Sequence, residues 1–281
     1  MGISKRRIWC NIQIWIKFMD DLTVVFDIGN TTITTGIFKN GKLIKIWRIE
    51  SDLKYDENSL YQKFKSQFLK NGLDVKKIEG VIVGSVVPFL KKIIIAMCEK
   101  FLKIKPFVLN SKTKLNFKNK YKSKTTLGED RIANVAAAEF YFKNENKVII
   151  DLGTAITFDF INKKGEFLGG AIMPGKNLIA KALNQNTARL PYIRGGYFSA
   201  ALGRTTKECI LNGITADIIG SIRYLINKVQ KKFKLKNIKI ILTGGDADKN
   251  LLKVLRIKNC KIQGDLTLNG FKIIYDLNKK I

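Results

Sequence analysis

Histidine is missing from this chain of 281 residues altogether. Its absence excludes histidine-based triads, imidazole general bases and histidine metal ligands together. Cysteine is scarce. Cys10, Cys98, Cys209 and Cys260 stand far apart, so neither a zinc site nor a redox pair is spelled. No stretch holds the roughly 18 consecutive apolar residues expected of a membrane span. Acidic residues are also few: 23 Asp+Glu face 51 Lys+Arg, a formal net charge of +28. A surplus of that size would suit nucleic acid. Only nine of the 51 are arginine, however, and the lysines are scattered through every segment rather than gathered into a block. We read them as a compositional bias and expect no specific nucleic-acid partner. Any catalysis must run on carboxylates, hydroxyls, lysines, backbone amides and bound ions.

What remains is an ordinary globular composition, with 46% hydrophobic and 26% charged residues. The length suits one large domain or two medium ones. The first residues, "MGISKRRIWCNIQIWIKFMDD", imitate a signal peptide, but Asn11, Gln13 and Lys17 break the apolar run and no small-residue cleavage site follows. Residues 1–18 are expected to be an extension outside the fold, with Met19 as the true start; a weak interfacial segment is the alternative. A cytoplasmic protein without membrane contact is the expectation.

From Leu22 the pattern is strand, turn, strand, turn, strand: "LTVVFDIG", "TITTGIF", the Lys39-Asn40-Gly41 turn and "KLIKIWRI". Helical spacing follows from about Ser59 to Leu69, with Leu60, Phe64, Phe68 and Leu69 on one face. Then come the buried strand "GVIVGSVVP", a helix over about 89–101, a short strand "PFVL" and a polar stretch, 110–124, expected as loop. "LGEDRIANVAAAEFYF" predicts a helix with acidic residues in its first turn. The plan then restarts with "KVIIDLG", "AITFDFIN", the Lys163-Lys164-Gly165 turn and "EFLGGAIMPG". Helices are expected near 175–186 and 205–232, a strand at "IKIILTGG", a helix near 248–255 and a closing segment. This is an internal duplication of α/β units.

Either hairpin alone is compatible with simple turn chemistry. Two in register are harder to read that way. Each delivers Asp-x-Gly right after a buried strand, where an unpaired carboxylate is costly. The glycines let backbone N–H groups approach an anion, and Asn30, Thr31, Thr32, Thr34 and Thr154 add polar groups. Carboxylates there suit hard cations. The reading is one hairpin for each side of a nucleotide's phosphates.

This duplicated hairpin resembles the acetate kinase, sugar kinase, Hsp70 and actin superfamily. "YKSKTTLGEDRIANVAAA", "DLGTAITFDF", "GGAIMPG", "NTARLP", "GRTTKECILNGI" and "LTGGDAD" narrow it. From Leu22 onward the chain resembles the type III pantothenate kinases. The resemblance implies an α/β fold, a duplicated actin-like ATPase fold of ribonuclease H-like type, with two domains around a nucleotide cleft. They are placed at 19–143 and 144–281. It implies ATP-dependent phosphorylation of pantothenate to 4′-phosphopantothenate, the first step of coenzyme A biosynthesis. A related actin-fold kinase with another alcohol acceptor is the alternative, although no sugar-kinase acceptor signature is apparent.

Residue by residue, the resemblance makes Asp27, Ile28, Gly29, Asn30, Thr31, Thr32, Ile33 and Thr34 the first phosphate loop. Thr154 becomes the second phosphate contact. Gly128, Glu129, Asp130 and Arg131 match the family's Gly-x-Asp-Arg, which contacts pantothenate, with Asp130 as proton acceptor. Tyr121 falls on a substrate-contacting tyrosine. Asp151 falls on the ligand of a monovalent cation, K⁺ or NH₄⁺, and Mg²⁺ accompanies the ATP. Thr206 matches a threonine that reaches pantothenate from the other subunit of a homodimer with a shared site. The family's proline three residues after the tyrosine is Lys124 here, which leaves that loop less stiff. Plainer readings exist for three of these residues. Asp130-Arg131 could be helix-terminal charge, Thr206 a helix cap and Tyr121 a half-buried loop aromatic.

Overall fold

The structure is a computed structural model that describes residues 21–198 and 200–279, so the expected extension 1–18 lies outside the described residues. Strands β1 (Leu22–Ile28), β2 (Thr32–Lys39) and β3 (Lys42–Glu50) form an antiparallel meander. Strand β4 (Ile78–Ser85) runs parallel to β1, and β5 (Phe107–Val108) parallel to β4. The first sheet is ordered β3-β2-β1-β4-β5.

The second sheet repeats this. Strands β7 (Lys147–Leu152), β8 (Ala155–Ile161) and β9 (Glu166–Pro174) make the meander, and β10 (Lys239–Thr243) and β11 (Cys260–Ile262) add in parallel. Its order is β11-β10-β7-β8-β9-β6, the first order read backwards plus β6 (Lys118–Asn119) on the outer edge of β9. The duplication extends to irregularities. The β2–β3 ladder slips between Ile37 and Phe38, and the β8–β9 ladder slips between Phe160 and Ile161, the equivalent place. A matched bulge of this kind bends both meanders alike.

Helices cover the sheets where the apolar period demands it. Helix α1 (Glu57–Lys70) starts in a capping box between Asp56 and Ser59 and buries Leu60, Phe64 and Phe68. Trp47 and Phe26 pack on those rings, and each such buried side chain is worth about 1.5–3 kcal/mol. Leu69, expected on the same face, is 64% exposed. It follows Phe68 by a 100° step, which carries it off the stripe. Helix α2 (Pro88–Met97) continues through a π-helical turn, Cys98–Leu102, to a left-handed Lys103.

Helices α3 (Glu129–Tyr141), α4 (Lys176–Gln185), α5 (Thr206–Phe233), α6 (Lys249–Leu255) and α7 (Leu266–Asn278) complete the chain. By length and mean hydropathy (1.3), α5 could cross a membrane. Its apolar side is spent otherwise: Ile210, Ile214, Ile218, Ile222 and Ile226, four apart, are buried in the core under the second sheet.

The chain forms two compact units, and they do not follow the linear boundary at 143/144. Among the described residues one unit comprises 21–114, 128–133 and 268–279, the other 115–127 and 134–267. Two features account for the exchange. Helix α7, in the closing stretch to which the pattern assigned no element, packs Leu268 and Phe271 with Val25, Phe38 and Ile82 of the first sheet. The stretch 110–124, expected as loop, contributes β6 to the second.

The close seat of α7 needs glycine on β4. Side chains alternate across a strand, so Gly80, Ile82 and Gly84 share a face. A Cβ at Gly80 would run into Tyr275, and one at Gly84 into the ring of Phe271. Gly84→Ala is therefore expected to cost about 1–3 kcal/mol, measured as a lower urea midpoint at unchanged slope. An unchanged midpoint would mean that α7 yields freely.

One ion pair in the second unit is fully enclosed. Lys147, the first residue of β7, is 0% exposed, with Nζ 2.7 Å from Glu139 Oε2. It also donates to the carbonyl oxygens of Phe142 (2.9 Å) and Glu145 (3.0 Å). The ammonium thus has a full set of partners, which its burial requires.

Candidate active site

In the first unit Asp27 is the penultimate residue of β1. It stands opposite Thr34 on β2 and Gly84 on β4. Ile28 pairs with Ile33, so Gly29, Asn30, Thr31 and Thr32 form the loop. Gly29 N–H donates to Thr32 O at 2.9 Å and closes it. Ser51 braces it from β3's end: its hydroxyl donates to Gly29 O (2.7 Å), and its N–H to Thr31 O (2.9 Å). Asn30 and Thr31 are exposed at the tip, whereas Ile28, Ile33 and Thr34 are buried.

The helix start at Glu129 is tied to the same region. Glu129 Oε2 accepts the Ser85 N–H at 2.8 Å, and Oε1 pairs with Lys91 Nζ at 2.7 Å. Ser85 is the register partner of Ile28. Glu129 therefore fixes the α3 start beside the loop that follows Asp27, and both of its oxygens are engaged by protein groups. Asp130 follows, half-buried, and its Oδ1 accepts the Arg131 N–H at 2.8 Å. Gly128 leaves the room: a Cβ there would strike the Asp130 carboxylate. Desolvation raises the proton affinity of Asp130 above the ordinary carboxylate value, against the opposing pull of the Arg131 N–H and charge. Arg131 itself is only 5% exposed.

In the second unit Asp151 occupies the place that Asp27 holds in the first. It lies between Thr157 on β8 and Thr243 on β10. Leu152 pairs with Ile156, so this loop is one residue shorter than its counterpart. Thr154 is exposed at its tip, and its carbonyl accepts the Gly175 N–H at 3.0 Å. A Cβ on Gly175 would meet Gly153 O, so α4 can begin against the loop only from a glycine. Lys176, next in line, pairs with Asp246 at 2.8 Å, and Asp246 N–H donates to Leu152 O at 3.0 Å. Asp151 Oδ2 accepts from Asn134 Nδ2 at 2.8 Å, and Asn134 Oδ1 accepts from the Thr267 hydroxyl at 2.9 Å. Gly244 adopts φ 91°, and a Cβ there would meet Asp151 Oδ1. The hydroxyls of Thr157 and Thr243 are buried without a hydrogen-bond partner.

Two sequence-predicted residues sit elsewhere in the second unit. Tyr121 follows β6, and its ring stacks on Phe167 of β9 at 5.8 Å and 15°. Thr206 is the first residue of α5 and is exposed. The cap is its neighbour: the Thr205 side chain accepts the Glu208 N–H at 3.2 Å. Thr206 is thus relieved of the capping duty considered for it.

Sequence reasoning missed Ser85, Asn134, Lys176, Asp246 and Thr267. One signal was available. Asn134 is the single polar residue in "IANVAAA", on the stripe of a helix that is otherwise apolar there. Nothing local marks Thr267, whose part depends on where α7 starts.

Comparison with known proteins bears on the family and the fold. The type III pantothenate kinase family matches residues 23–228. A type III pantothenate kinase of Finegoldia magna is 38% identical over 268 residues, 93% of this chain and 99% of the relative. Among solved structures, a Baf family protein from Campylobacter jejuni superposes with a TM-score of 0.55 at 22% identity, over 91% of this chain and 98% of that one. MreB5 of Spiroplasma citri, bound to ADP, gives 0.50 at 12% identity, over 92% and 99%. These two likenesses speak for the fold, which is the actin-like ATPase fold. By the family match and the extent of its kinship with the Finegoldia enzyme, the chain belongs to the type III pantothenate kinase family.

Proposed function

We propose that this chain transfers the γ-phosphoryl group of ATP to the primary alcohol of pantothenate, giving 4′-phosphopantothenate for coenzyme A synthesis. The observation that carries the residue assignment is the Gly128–Arg131 turn. It holds a half-buried carboxylate of raised proton affinity at a helix start, locked through Glu129 to the strand beside the first Asp-Gly loop. Phosphoryl transfer asks mainly for positioning and charge neutralisation. Asp130 takes the alcohol proton as the oxygen attacks, a service worth ~10²–10⁴-fold. Arg131 holds the pantothenate carboxylate, and Gly128 gives Asp130 its room. Asp27 to Thr34 and Thr154 contact the phosphates, one loop from each half of the duplication, 19–143 and 144–281. Tyr121 lies along the bound substrate. Thr206 serves the site of the other subunit in a homodimer.

The residues present fit a monovalent cation at Asp151. A single carboxylate flanked by two orphaned, buried hydroxyls, Thr157 and Thr243, suits an ion of low charge with oxygen ligands. Among the described residues no cluster of three Asp, Glu or Cys groups forms a divalent cage. Magnesium would accordingly be held chiefly by the ATP phosphates, with Asp27 a candidate carboxylate. Bound K⁺ or NH₄⁺ would offset phosphate charge. The use of α5's apolar side in the core favours a cytoplasmic enzyme over a membrane-spanning one.

The test is ATP consumption with pantothenate against a panel of other primary alcohols, each with potassium and with choline chloride. Pantothenate is expected to be preferred by orders of magnitude and only with potassium. Preference for another alcohol would move the reading to a related kinase with a different acceptor.

A further inference from the structure

Asn134 is 0% exposed, and every polar atom of its amide that the chain engages can be assigned a direction. A carboxylate only accepts, so the amide nitrogen must face Asp151 Oδ2, 2.8 Å away. The amide oxygen then faces Thr267 Oγ1 at 2.9 Å, and the hydroxyl must be the donor. The chain of bonds runs one way: Thr267 to Asn134 to Asp151. Three separate elements contribute, α7, α3 and β7. A flip of the amide would aim an oxygen at the acceptor-only carboxylate, which forbids it; the Thr267 hydroxyl completes the chain by donating to the amide oxygen.

We propose that Asn134 and Thr267 are positioning residues for the cation ligand Asp151. They act through it and need touch neither nucleotide nor pantothenate. Asn134 fixes the rotamer of the Asp151 carboxylate beside Gly244, whose missing Cβ leaves room for Oδ1. Thr267 anchors the Asn134 amide from its other end by donating to its oxygen. The proposal rests on the cation reading of Asp151. Outer partners of metal ligands are typically worth about 10–100-fold in metal affinity.

The measurement is the melting temperature of the full chain with a non-hydrolysable ATP analogue, titrated with KCl at constant ionic strength set by choline chloride. A ligand bound to the native state raises the melting temperature with a midpoint set by its affinity. Thr267→Val, nearly isosteric and without the hydroxyl, is expected to move the KCl midpoint about 10-fold higher, and Asn134→Leu at least as far. Thr267→Ser, which keeps the donor, is expected to stay close to the unmodified chain. The potassium activation curve should shift in parallel, while the KM values for ATP and pantothenate at saturating KCl hold. Asn134→Leu sits in a tight core, so Thr267→Val alone decides if that variant does not fold.

Asp151→Asn separates the two levels of the argument. If it abolishes the KCl step while Thr267→Val titrates like the unmodified chain, the positioning proposal is overturned and the cation site stands. If Asp151→Asn leaves the KCl step intact, or the unmodified chain shows none, the cation reading falls and the proposal with it.

Discussion

Asp130→Asn is expected to lower kcat by ~10²-fold or more while leaving nucleotide binding nearly unchanged. The substitution keeps the shape and removes the base. The same change is expected to raise the melting temperature at neutral pH. Burial lifts the folded-state pKa of Asp130 above its unfolded value. A carboxylate lifted in this way binds protons more tightly when folded, so it destabilises the fold progressively as pH rises from the unfolded pKa through the folded one. Above that window the full penalty applies, and asparagine escapes it. Below the ordinary carboxylate range the difference closes. The rate carries the opposite signature: kcat climbs with pH as Asp130 ionises, and its acidic limb sits higher than for an exposed carboxylate. A variant that keeps near-normal kcat would remove Asp130 from its role. One that loses rate without the stability gain would show that the carboxylate is less desolvated than its surroundings indicate.

The second large effect concerns sharing between subunits. If Thr206 serves the neighbouring site, each site joins Asp130 of one chain to Thr206 of the other. Asp130→Asn and Thr206→Val homodimers are each expected to be weak. In a mixed dimer both defects fall in one site and the other site carries neither. Random reassembly at equal ratio makes half the dimers mixed, so roughly a quarter of all sites become intact in a twofold assembly. Activity should rise on mixing, far above the mean of the two parents. Thr206 is available for this, because Thr205 caps α5 and Thr206 is exposed at its first turn. Mixing without recovery, with chain exchange verified by mass, would place Thr206 in its own chain's site or in none.

The strand pattern and the two Asp-Gly hairpins were legible because both are local. Alternation fixes a strand face, and Asp-x-Gly marks a strand end whatever packs against it. Asp27 and Asp151 duly occupy equivalent positions in the two sheets. The difference between the loops, one residue longer after Asp27, was not legible, since only the pairing of Ile28 with Ile33 and Leu152 with Ile156 reveals it. Helix α7 escaped notice because its apolar residues match the glycine face of β4, nearly two hundred residues earlier in the chain. Glu129 read as a substrate contact inside a motif. Its bonds to Ser85 and Lys91 became visible only when β4 was placed. Leu69 failed for a simpler reason: an apolar residue at the edge of a helical stripe is set by angle, and the neighbours decide which side of the edge it takes.

The enclosed Lys147 has a use at the bench. Subtracting the nine arginines from 51 basic residues leaves 42 lysines, most of which sit where an acylating reagent can reach them. Lys147 has no exposed surface, and three oxygen partners hold its ammonium in place. Reagent reaches that amine only when the end of α3, the start of β7 or the second sheet as a whole comes apart. In a timed acylation followed by peptide mass spectrometry, surface lysines saturate early and serve as internal controls for reagent dose. The slow appearance of label on Lys147 then clocks the opening of the second unit, with no probe engineered into the chain.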